Sequence, residues 1–146
     1  MSFKLNGKWD VSKISMVPTT KDYQWAALQA RNIIRKRTLN GVDINGERFE
    51  PYSAQTIMYR EKMGKTTDVV NLEDTNAMLG SLTYDANEYG ATVGMSNAHA
   101  AEYGLKHQTG SGVPKREWFG LPESEALKLS QEVSKRVIQR NQKGTK

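Results

Sequence analysis

The chain has 146 residues, no cysteine and a formal net charge of +5, with a pI of about 9.4. That length is most economically a single domain, 1–146, able to bury roughly 68–70% of the surface an extended chain exposes. The missing cysteines exclude disulfides and thiolate metal ligands. No apolar run approaches the ~20 residues of a bilayer span, and the first residues lack a signal peptide's apolar core, so no membrane partner is expected and synthesis is expected in the cytoplasm.

Residues 1–20 read as a strand-like arm: Phe3, Leu5, Trp9 and Val11 alternate on either side of the turn signal Asn6-Gly7. Pro18, Thr19 and Thr20 then open a helix, because a hydroxyl there accepts from the first free amides. From Asp22 to about Leu39, Tyr23, Ala26, Ala27, Ala30, Ile33 and Ile34 recur at spacings of three and four, an apolar helical stripe. Asn40-Gly41 stops it, glycine readily taking the left-handed conformation. Asn45-Gly46 between Val42–Ile44 and Glu47–Phe49 predicts a hairpin. Ser53 is placed to cap a short helix over Ala54–Glu61, and the polar run 62–71 reads as a mobile loop.

A weak helical turn over Thr75–Leu79 precedes two strands, Ser81–Asn87 and Ala91–Met95. Asn97–Tyr103 reads as a short helical turn that Gly104 ends. The last helix runs from Pro122 to about Arg140, with Ala126, Leu129, Val133 and Val137 as its buried stripe and residues 141–146 as a basic tail. The fold class is α+β: a small antiparallel sheet of hairpins packed against an N-terminal and a C-terminal helix.

Chemistry-bearing patterns are few. The two histidines, His99 and His107, fall short of the three converging ligands a metal needs, and Gly104 argues against one helix carrying both. There is no nucleophile elbow, phosphate-binding loop or dinucleotide fingerprint. Gly110-Ser111-Gly112 precedes a proline rather than a helix, so it supplies no row of amides for a phosphate. Acid pairs such as Glu123 and Glu125 sit in first turns, where the helix dipole favours them. The expectation is no enzyme, no cofactor and no metal. The cations Lys135, Arg136, Arg140, Lys143 and Lys146 suit a helix C-terminus better than a nucleic-acid footprint. Trp118 and Phe119, after the basic pair Lys115-Arg116, read as anchors, one turned to the core and one to a neighbouring subunit, since interfaces favour Trp, Tyr, Phe and Arg.

Five motifs in order carry a resemblance. Asn45-Gly46-Glu47-Arg48-Phe49-Glu50-Pro51-Tyr52-Ser53 followed by Thr56 comes first, then Leu72, Thr75, Met78 and Ser81. Val93-Gly94, the set Tyr103, His107, Gln108 and Gly110, and the set Pro114, Arg116, Trp118, Phe119, Gly120 and Leu121 follow. Over residues 40–140 the chain resembles the phage virion-morphogenesis proteins, the tail-completion group that includes the phage Mu G-like proteins. It departs at Asn76 (glycine in the family), Gly104 (alanine) and Pro122 (serine); asparagine is the next best left-handed residue.

The resemblance implies a virion structural protein at the neck or head-proximal end of the tail. Its partners would be copies of itself, in a ring that is commonly sixfold, with the head–tail connector, tail tube or tail terminator on either side. Interface residues are expected at Arg116, Trp118, Phe119, Tyr52 and Tyr103. Arg35, Lys36, Arg37 and Arg140 are expected to face the lumen in loose contact with passing DNA. The alternative expectation is a basic DNA-binding accessory protein of phage morphogenesis.

Overall fold

The computed structural model describes residues 2–5 and 17–144. Their elements are β1 (Ser2–Leu5), α1 (Thr20–Leu39), α2 (Ala54–Lys62), α3 (Ala77–Gly80), β2 (Leu82–Asn87), β3 (Gly90–Met95), α4 (Ala98–Thr109) and α5 (Glu123–Gly144). The fold is α+β, an antiparallel sheet with α1 and α5 packed against it. β3 is the middle strand. β1 pairs with it antiparallel, with Phe3 opposite Val93 and Leu5 opposite Ala91, so the arm extends the sheet. The expected turn at Asn6-Gly7, with Trp9 and Val11 beyond it, lies outside the described residues.

The described chain groups into two compact units. The first holds α1 up to Asn32, the strands between Thr83 and Gly94, and α5. Here α1 starts on a reciprocal cap. The Asp22 carboxylate accepts from the Thr19 amide at 2.8 Å, and the Thr19 hydroxyl accepts in turn from the Asp22 amide at 3.4 Å. The stripe read from the sequence is buried at Tyr23, Ala26, Ala27 and Ala30. Ala26 packs with Val133 and Val137 of α5, with Trp25 against the same cluster. An ion pair closes this contact: Arg140 Nη1 donates to both Asp22 oxygens at 3.0 and 2.9 Å. Burial pushes the Asp22 carboxyl up, but the bonds from Thr19 and Arg140 outweigh it and hold the group below its ordinary range.

The second unit spans Ile33–Leu82 and Met95–Gly120. The expected hairpin at 42–49 is reduced to one bridge, Val42 with Arg48. Three bonds explain the loss. Asp43 Oδ1 accepts from the amides of Asn45 and Glu47, curling the chain into a side-chain-stabilised turn. The Ile44 amide turns away to Glu117 O at 2.8 Å.

Ser53 caps α2, accepting from the Thr56 amide. The run 62–71 is tied down rather than loose, because Arg60 binds the carbonyls of Thr66 and Glu73 and the side chain of Asn71. Asn76 is left-handed at φ 63°, the conformation that makes asparagine the natural substitute for glycine. Leu72 is left-handed too, at φ 54°, a strained state for a bulky residue.

α4 differs most from expectation: it continues through Gly104 to Thr109. Asn97 caps its start, and left-handed Gly110 ends it. Gly104 stays helical because its carbonyl is the acceptor of the buried Trp118 indole N–H, at 2.9 Å.

Candidate functional site

The second unit carries a groove of about 700 Å³ between residues of α2, the 72–78 segment, α4 and the 112–116 loop. Tyr52 is one of its lining residues. The guanidinium carbon of Arg60 lies 4.8 Å from the Tyr52 ring centroid and that of Arg116 5.4 Å, both within cation–π range. The Tyr52 hydroxyl accepts from the strained Leu72 amide at 3.2 Å. Both arginines are 4% exposed. Arg60 spends its donors on Thr66, Glu73 and Asn71, and Arg116 donates to the carbonyls of Glu50 and Pro51 at 2.9 and 3.1 Å. Among the described residues neither guanidinium has a carboxylate partner. Burial pushes the Arg116 pKa down, against the pull of Tyr52 and Glu50.

His99 and His107 lie on the same helix after all and both line the groove. Among the described residues no group of three or more His, Asp or Glu is placed to hold a metal ion. The His107 carbonyl accepts from the Arg116 amide at 2.7 Å, while its buried Nδ1 has no hydrogen-bond partner among the described residues. Burial and then the neighbouring Arg116 charge lower its pKa to about 4, so the ring is neutral at pH 7.

The anchor residues fall differently from expectation. Trp118 is wholly buried, Phe119 is buried against it edge-on at 5.4 Å, and Arg116 is buried beneath the groove. None of the three presents a side chain to a neighbouring subunit. Gln108 explains this: its Oε1 accepts from the amides of both Trp118 and Phe119, and its Nε2 donates to Phe119 O, turning both rings inward. Tyr52 is half-buried at the groove floor. Tyr103 alone of the five is well exposed, at 54%, with its ring against His99.

Two of the four cations expected to face DNA are engaged within the chain. Arg37 Nη2 donates to the carbonyls of Trp118 and Gly120, and Arg140 is paired with Asp22. Arg35 is half-buried, and Lys36 is exposed.

The sequence reading missed Arg60 and the outward face of α2, where Met58, Tyr59 and Met63 are exposed. Tyr59 and Met63, four apart, already mark a helical apolar pair. Arg60 left no such trace, since its partners are loop carbonyls. Comparison with family models, with curated proteins and with solved structures found no match to this chain.

Proposed function

We propose that the chain is a structural subunit of a tailed-phage virion, a tail-completion or neck protein. In this reading it assembles with copies of itself at the head-proximal end of the tail and joins the tail to the head connector. One observation carries the reading: the separate motifs behind the resemblance bind one another. Arg116 holds the carbonyls of Glu50 and Pro51, Tyr52 meets the Leu72 amide, and Gln108 fixes Trp118 and Phe119. Residues scattered over the sequence thus form one framework, which argues that their order reflects a shared architecture.

The surface beside that framework suits association. Met58 and Tyr59 of α2, Met63 just past its end, and Tyr103 and Leu105 of α4 are all exposed. Exposed aromatics and methionines of this kind are enriched at protein contacts. The contact therefore belongs to Tyr59 and Tyr103 rather than to Trp118. Any attraction to DNA falls to Arg35, Lys36 and the other surface cations.

Sedimentation of the purified chain over a wide concentration range tests the reading. Growth to a defined multimer is expected, with the chain present in purified particles. A monomer at every concentration, absent from particles, overturns it.

A further inference from the structure

Asparagine followed by glycine occurs three times in the chain, at Asn6-Gly7, Asn40-Gly41 and Asn45-Gly46. Such a pair can react with itself: glycine has no Cβ, so its amide nitrogen is open to the carboxamide carbon of the preceding side chain. The first pair lies outside the described residues. The structure separates the other two.

Asn45-Gly46 forms the tip of the turn between Val42 and Arg48, and both residues are exposed. Asn45 bonds through its backbone amide, to Asp43 Oδ1 at 2.8 Å, and its carboxamide makes no hydrogen bond among the described residues. A Cβ added at Gly46 would meet nothing within 4 Å, so the space around this residue is open. One bond holds the reacting nitrogen: its N–H donates to Asp43 O at 3.1 Å. At the surface, water replaces such a bond at little net cost.

Asn40-Gly41 is held on every side. The Asn40 amide closes the end of α1 onto Lys36 O at 3.0 Å, and Gly41 is buried. The Gly41 N–H donates to Thr38 O, and its carbonyl accepts from the Phe49 amide, both at 2.9 Å. A Cβ there would fall 2.7 Å from Val69 Cγ1 and 3.2 Å from Val70 O. Ring closure at this pair requires the end of α1 to unwind and the 69–70 segment to move away.

We infer that Asn45 is a site of spontaneous deamidation, and that the fold shields Asn40 from the same reaction. The Gly46 nitrogen gives its proton to hydroxide and bonds to Asn45 Cγ; the Cγ–Nδ2 bond breaks and ammonia leaves. Water then opens the cyclic imide at either carbonyl, giving aspartate or isoaspartate. One water enters for each ammonia released. The new carboxylate arises beside Asp43, whose Oδ1 accepts from the amides of Asn45 and Glu47, and like charges repel there. Isoaspartate also routes the main chain through Cβ, one atom longer. That shifts the Val42–Arg48 bridge and the Ile44 bond to Glu117 out of register. The modified turn is loosened from the segment that carries Trp118.

The test incubates the purified chain in mildly alkaline buffer, with and without urea. Trypsin releases residues 38–48, which hold both pairs, and electron-transfer fragmentation assigns each product to its position. In the native chain Asn45 should convert at least about tenfold faster than Asn40, which reacts only through local unfolding. In urea the gap should close. Aged wild type should melt below fresh protein, whereas aged Asn45→Gln should keep its melting temperature. Equal native rates at the two positions, or an Asn45 that stays intact in the native chain while converting in urea, overturn the site. A converted chain that melts like fresh protein overturns the loosening.

Discussion

Trp118 shows how one side chain sets the character of its neighbourhood. It is fully buried, its indole N–H is satisfied by Gly104, and its amide is held by Gln108. Trp118→Ala should therefore cost about 3–5 kcal/mol of folding stability, as large-to-small changes in cores do. A chemical denaturation midpoint will report it; an unchanged midpoint with lost assembly would return the residue to an interface. His107 adds a pH dependence. Its pKa in the folded chain, about 4, lies below the ordinary 6.5, so between those values the unfolded chain binds a proton that the folded chain refuses. Stability then rises with pH across that window and is lost as pH falls from 6.5 to 4. His107→Gln should flatten this arm in urea titrations at several pH values. Asp22, with its pKa held down, acts lower: its contribution is present above 3.8 and lost as pH falls further.

Among the elements, the start of α1 is the most exactingly bonded. Thr19→Ala should cost about 1 kcal/mol for the cap, and Asp22→Ala roughly 1–3 kcal/mol for its charged hydrogen bonds. Because the two residues bond to each other, the double variant should fall short of the sum by about 0.5 kcal/mol or more. Thermal melts of the three variants measure the shortfall. Long elements were legible in the sequence for a simple reason. The stripes of α1 and α5 repeat often enough to overwhelm local noise, and Ser53 and Asn76 follow local backbone chemistry. α4 was cut short in the reading because Gly104 signals a break by its own propensity. What keeps it helical is an indole fourteen residues later, which no window on the helix contains. The hairpin at 42–49 failed partly for the same reason: the Asp43 side chain curls the turn locally, and Ile44 pairs with Glu117 far along the chain. The groove was half legible. Tyr52 and Tyr103 stood out as aromatics, whereas Arg60 acts on loop carbonyls that carry no side-chain signature.

At the scale of the molecule, the two compact units are woven from alternating stretches of one chain, with α5 contributed last to the first of them. The Asp22–Arg140 pair spans 118 residues of sequence. On a ribosome, the stretches of the second unit emerge by Gly120, ahead of α5. The pair can form only once nearly the whole polypeptide has been made. It works as a latch that shuts at the end of synthesis, and a nascent chain stalled before Val133 would leave Ala26 of α1 without the α5 side chains that cover it.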